Sequence, residues 1–248
     1  MDSTTDEIYR IQYETRFTMP LLDLLTSSSL GSLLGMRHAL EPDHLAAVTT
    51  LVSAERSSYK AAFLGACWGL GHTFALVLVG AVLVALRAEM PPYVAELFEF
   101  FVALMLILLG LRAMAQAMRQ GDAGPVRAHR HGGVVHAHGA SVPHVHIGTW
   151  TLARRPLIVG AVHGLAGSGA LTALVLATLP TTAAQLTYVG LFGLGSTLGM
   201  AALSGLLGWP LARLGANHRV ARSVSLVVGC ASTLLGIAWG YPFVARLF

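Results

Sequence analysis

Apolar residues run along this chain in six long stretches, near 28–53, 61–86, 94–118, 156–179, 184–211 and 221–245. Each is long enough to form a helix that crosses a ~30 Å hydrocarbon core, which takes about 20 residues. The pattern predicts an all-α integral membrane protein of about six transmembrane helices. Polar positions gather elsewhere. The stretch Met1 to Met19 carries Asp2, Asp6, Glu7 and Glu14, and no basic segment followed by an apolar one, so it reads as a polar tail and not as a cleavable signal peptide. Gly121 to Arg155 is the one long polar insertion, with His129, His131, His136, His138, His144 and His146.

The two halves resemble each other. Gly35-Met36-Arg37-His38-Ala39-Leu40 aligns with Gly160-Ala161-Val162-His163-Gly164-Leu165 at an offset of 125. Gly69-Leu70-Gly71-His72-Thr73 aligns with Gly193-Leu194-Gly195-Ser196-Thr197 at 124, and Leu109-Gly110-Leu111 with Leu235-Gly236-Ile237 at 126. Each half then holds three spans, and an odd number makes the second copy enter the membrane from the opposite side. The organisation expected is a tail over 1–19, a three-helix repeat over 20–120, a His-rich loop over 121–155 and an inverted three-helix repeat over 156–248. In transporters built this way the substrate sits near the midplane, where interrupted helices meet. Pro42 is expected to break the first span, and Gly164, Gly167 and Gly169 to loosen the fourth.

Composition agrees with a lipid environment: of 248 residues 54% are hydrophobic and only 11% charged, with a mean hydropathy of +0.65. A net charge of +4 would suggest a nucleic-acid partner in a soluble protein, but here the basic residues sit between spans, so no nucleic acid is expected. The connections 54–60, 112–155 and 212–222 hold eleven Arg and Lys, against four in the tails and the 87–93 turn. Positive residues stay cytoplasmic, which predicts both termini outside and the His-rich loop inside.

Chemistry concentrates in His38-Ala39-Leu40-Glu41-Pro42-Asp43-His44, where two imidazoles and two carboxylates interrupt an apolar span. Ionisable groups at membrane depth cost several kcal/mol unless they are paired, face water or bind an ion. Imidazole with carboxylate suits nickel, cobalt or zinc, whereas calcium and magnesium prefer oxygen alone. On an unbroken helix Asp43 and His44 would point away from His38; a break at Pro42 could swing them back. His72, central in the second span, is the next candidate ligand. His163, the repeat partner of His38, completes the site or lines the pathway. Glu41 belongs to the same motif, while Ser168, Ser196 and Thr197 are weaker candidates, since membrane hydroxyls usually bond backbone carbonyls.

His38-x4-Asp43-His44 preceded by Arg37, followed by Leu70-Gly71-His72-Thr73, resembles the signature pair of the nickel/cobalt transporter family, including its permease branch found near urease accessory genes. The resemblance implies a secondary permease in a bacterial inner membrane, selecting Ni²⁺ or Co²⁺ as transported substrate through His38, Asp43, His44 and His72. Family members carry acidic Asp-Thr motifs in later helices, where this chain has Ala166-Gly167-Ser168-Gly169-Ala170 and Gly193-Leu194-Gly195-Ser196-Thr197. The six imidazoles of the insertion add a second way to capture metal. Expected partners are a divalent metal ion and the lipid bilayer, with self-association left open and no resident cofactor.

Other functions are weaker. An intramembrane hydrolase would use Ser168, but no Ser-His-acid arrangement stands out in the sequence, and no enzyme is expected. A thiol redox carrier would need Cys67 and Cys230 to meet, yet they fall in spans that the repeat does not pair. Export of another small solute fits the architecture but leaves the buried His and Asp cluster unexplained.

Overall fold

A computed structural model of the chain describes residues 29–119 apart from 54 and 56, the strand residues 129–131, 134–136, 144–147 and 150–153, and residues 154–246 apart from 180 and 215–217. The tail read over 1–19, the rest of 121–155 and the side chains of the six insertion histidines lie outside the described residues. The body is helical: α1 covers 29–38, α2 Pro42–Val52, α3 Ser58–Leu86, α4 Pro92–Arg119, α5 Arg154–Thr178, α6 Thr182–Leu214 and α7 His218–Ala245. Among the described residues, four helices are long and apolar enough to cross a membrane: α3, α4, Thr182–Leu211 of α6 and Arg219–Ala245 of α7. Their outward faces are apolar too. Leu70, Phe74, Leu78 and Val82 form an exposed stripe along α3 that suits hydrocarbon and not water.

Local chemistry explains the break in the first span. Proline disfavours helical dihedrals in the residue before it, and Glu41 is extended, with φ −64° and ψ 149°. Pro42 then opens α2, where its missing N–H costs nothing. Across the break Leu40 and Glu41 donate their N–H groups to the carbonyls of Arg37 and His38 at 2.9 and 3.0 Å.

The fourth span departs from expectation, since α5 runs unbroken through Gly164, Gly167 and Gly169. Lipid offers no water to take over released backbone groups, so the helix keeps its own hydrogen bonds. Gly164 serves close approach instead: a Cβ there would strike the His72 carbonyl of α3. The insertion also differs from a plain loop. It contains two short antiparallel hairpins, β1 (His129–His131) with β2 (Val134–His136) and β3 (His144–Ile147) with β4 (Trp150–Ala153).

At the centre α3 packs along α5 and α6, while α4 packs along α7. The glycines at these crossings are reciprocal. Gly35 leaves room for Phe192 and Ser196 of α6, and its repeat partner Gly160 leaves room for Trp68 and His72, their counterparts on α3. Gly69 faces Thr197 while Gly193 faces Thr73; Gly110 faces Gly229 and Thr233 while Gly236 faces Ala103 and Ile107. Each of these contacts maps onto its partner through the offsets found in the sequence. Where α3 and α6 cross, Thr73 and Thr197 join by their hydroxyls at 2.8 Å. The main core gathers around Val48, Trp68, Leu106 and Met200, and a second cluster around Leu76, Val175 and Phe192.

Candidate metal centre

Four imidazoles meet between α1, α2, α3 and α5. The end of α1 supplies His38, and the turn at 39–41 reverses the chain enough for His44, in the first turn of α2, to lie 4.3 Å from it between ring centroids. His72, midway between Ser58 and Leu86 along α3, is 5.3 Å from both. His163 of α5 is 4.0 Å from His44 and 6.0 Å from His72. Three of the rings are removed from solvent: His72 is 0% exposed, His44 1% and His163 2%. Trp68 and Phe192 line the cluster, with Trp68 5.5 and 5.6 Å from His44 and His163, and Phe192 5.3 Å from His38.

Carboxylates hold the outer nitrogens of these rings. Glu41 Oε1 lies 2.9 Å from His38 Nδ1, Asp43 Oδ1 lies 3.0 Å from His44 Nδ1, and Asp43 Oδ2 lies 2.8 Å from His163 Nε2. Each contact fixes the proton on the nitrogen that faces the carboxylate, so each ring donates outward and keeps its lone pair on the other nitrogen. Those inner atoms, His38 Nε2, His44 Nε2 and His163 Nδ1, together with both nitrogens of His72, are buried with no hydrogen-bond partner among the described residues. Five such atoms, at about 1–3 kcal/mol each, would cost about as much as a typical domain's entire stability of about 5–15 kcal/mol. One nitrogen of His72 carries its proton, and the other four atoms offer buried lone pairs that suit a cation.

Donor spacing supports the same chemistry. One ligand atom each from His38, His44 and His72 lie within 4.8 Å of one another, as do those from Asp43, His44 and His163. Two nitrogens sharing an ion at about 2.1 Å can be no more than about 4.2 Å apart, a distance that small ring rotations reach. An all-imidazole inner set with carboxylates behind it matches borderline ions such as nickel, cobalt, copper and zinc.

The structure thus brings together His38, Asp43, His44, His72, Glu41 and His163. Of the two acids read as ligands in the sequence, Asp43 is spanned between two imidazoles and groups with His44 and His163, and Glu41, half exposed, backs His38. Thr197 bonds Thr73 away from the rings, Ser196 is buried, and the Ser168 side chain lies outside the described residues. Sequence reasoning did not single out the aromatic walls. Trp68 stands one turn before His72, and its repeat equivalent is Phe192, a pairing that the offset of 124 already contains. Cys67 is buried in α3 and Cys230 exposed on α7, each as a free thiol.

No protein-family model and no solved structure matches the chain. The urease accessory protein UreH of Bacillus sp. (strain TB-90) is 30% identical over 223 residues, covering 90% of this chain and 94% of that protein. Two Arabidopsis thaliana proteins are similar as well: chloroplast protein FOR GROWTH AND FERTILITY 1, 29% identical over 74% of this chain, and chloroplast protein FOR GROWTH AND FERTILITY 2, 26% identical over 91%. The chain spans 50% and 58% of the lengths of these two plant proteins.

Proposed function

The chain belongs to the family of the urease accessory protein UreH, and on that premise we propose that it is a membrane permease carrying Ni²⁺ or Co²⁺ as substrate through the imidazole cluster. The observation that carries this reading is the set of inward, unpartnered nitrogens of His38, His44, His72 and His163, with their tautomers held by Glu41 and Asp43. The name of the relative agrees with the urease-linked permease branch that the His-x4-Asp-His motif resembles.

In this reading six spans form two inverted three-helix repeats, supported by the reciprocal glycine contacts and by four helices of membrane-crossing length and apolarity. The broken first span supports a midplane site: α1 and α2 run about 15 Å to either side of the break at 1.5 Å per residue, half of a ~30 Å hydrocarbon core each. His38, His44 and His72 bind the ion, His163 lines its path, and Asp43 and Glu41 orient the rings. The His-rich insertion gathers metal on the cytoplasmic side.

The test is metal content and metal-dependent flux in proteoliposomes, for the parent and for His38→Ala, His44→Ala and His72→Ala. Parent protein should bind and move Ni²⁺ or Co²⁺, and each variant should lose most of both while keeping its thermal stability. Parent vesicles that neither bind nor pass any divalent transition metal would leave export of another small solute as the better reading.

A further inference from the structure

Away from the imidazole cluster, a groove of about 560 Å³ runs between α4 and α5. Phe101, Leu104 and Leu108 form one wall, Ile158 and Val162 the other, and Arg112 stands at one end. Positions 101, 104, 108 and 112 share one face of α4, and 155, 158 and 162 one face of α5. Arg155, one turn before Ile158 on that face, therefore extends the second wall at the start of α5. Neither arginine has an acidic partner among the described residues. The apolar walls are open, with Phe101, Leu104, Leu108 and Ile158 between 41% and 58% exposed.

Length and charge identify the occupant. From Pro92 to Arg112 α4 rises about 30 Å, one hydrocarbon thickness, so Arg112 stands at a membrane surface when Pro92 stands at the other. From Phe101 to Arg112 the rise is about 16 Å, the depth of a single leaflet. The residues that the internal repeat pairs with Arg112 and Arg155 are Ala238 and Leu30, so the positive end belongs to this seam alone. A second copy of the chain meeting this face about a two-fold axis would set arginines near arginines. A lipid with an anionic headgroup meets both demands, the apolar length and the unpaired positive charge.

We propose that the groove between α4 and α5 binds one anionic phospholipid of the leaflet where α4 ends and α5 begins, its acyl chain along Leu104, Leu108 and Ile158 and its phosphate on Arg112 and Arg155. The inference rests on membrane embedding and is independent of the metal. Its test is native mass spectrometry of the full chain extracted from membranes containing phosphatidylglycerol and phosphatidylethanolamine. Parent protein should retain phosphatidylglycerol with an enrichment on the order of tenfold over its share of the membrane. The double variant Arg112→Gln, Arg155→Gln should lose the enrichment, and Arg112→Lys, Arg155→Lys should keep it. Leu108→Trp, which fills the groove and spares the arginines, should release the lipid. Added phosphatidylglycerol should raise the thermal midpoint of the parent more than phosphatidylcholine does, and the gap should close in the Gln variant. Equal enrichment in parent and Gln variant would overturn the proposal and leave the arginines a role in orientation alone. A stable dimer cross-linked through Leu108→Cys would overturn it in favour of a second copy as occupant.

Discussion

Asp43 determines how the imidazoles present themselves, because both of its oxygens are engaged, Oδ1 by His44 and Oδ2 by His163. A carboxylate accepts on both sides, whereas an amide of the same size accepts on one and donates on the other. In Asp43→Asn one of the two rings must therefore turn an acceptor outward, which moves its proton to the inner nitrogen and removes a lone pair from the cluster. Metal affinity measured by titration calorimetry should fall about 10–100-fold, the usual cost of losing a partner behind a ligand. Glu41 is half exposed and accepts a single bond from His38, a task a glutamine carbonyl can perform. Glu41→Gln should accordingly change affinity far less than Asp43→Asn. Equal losses in the two variants would mean that the acids bind the ion directly and that their hold on the rings is incidental.

Between helices the limiting quantity is the space at glycine crossings. A Cβ at Gly160 would drive into the Trp68 carbonyl, and the same atom at Gly190 of α6 would meet nothing within 4 Å. Gly160→Ala should lower stability by about 1–3 kcal/mol, the cost of overpacking, and displace Trp68 from the cluster. Gly190→Ala should be neutral or stabilising by up to about 1 kcal/mol through helix propensity. Thermal unfolding in detergent measures both, and comparable midpoints for the two variants would contradict the close crossing. Helix existence and the break at Pro42 were legible in the sequence, because hydropathy and the restriction on the residue before proline are local. The expected span 61–86 and the observed α3, Ser58–Leu86, differ only at the first turn. The continuity of α5 was not legible: Gly164, Gly167 and Gly169 read as breakers in water, but in lipid the helix stays whole and Gly164 is where α3 approaches. Nor was the contact of Asp43 with His163, since the two meet only after α5 packs on α3, and no spacing along the chain encodes that meeting. The first hairpin had a signal, Gly132-Gly133 between two short runs, which the reading of a His-rich loop did not use.

Across the whole molecule, three contacts sort the helix ends into two groups. The Ser58 hydroxyl at the start of α3 donates to the Gly205 carbonyl late in α6 at 2.6 Å, and Arg112 late in α4 lines the same groove as Ile158 at the start of α5. On the opposite side Arg246 after α7 pairs with Glu96 in the first turns of α4, next to the turn that follows α3. One face thus carries the start of α3, the end of α4, the start of α5 and the end of α6, and the other carries the 87–93 turn and the end of α7. In the sequence eleven Arg and Lys belong to the first group of connections, against four in the 87–93 turn and the two tails. Because basic residues near spans remain cytoplasmic, the first face should be inside and both termini outside. Two inverted repeats of three spans require the same parity, so charge and repeat make one joint prediction. Its test is labelling of single cysteines by a membrane-impermeant maleimide in a Cys67→Ser, Cys230→Ser background. Ser3→Cys, Glu89→Cys and Leu247→Cys should react in intact cells, while Ala128→Cys and Asn217→Cys should react only after the membrane is opened. Termini that label from opposite sides would require an odd number of spans and would rule out the inverted repeat. Termini that both label from inside would preserve the repeat and reverse the orientation, and the positive charge, the insertion and the arginine end of the α4–α5 groove would then all face outward.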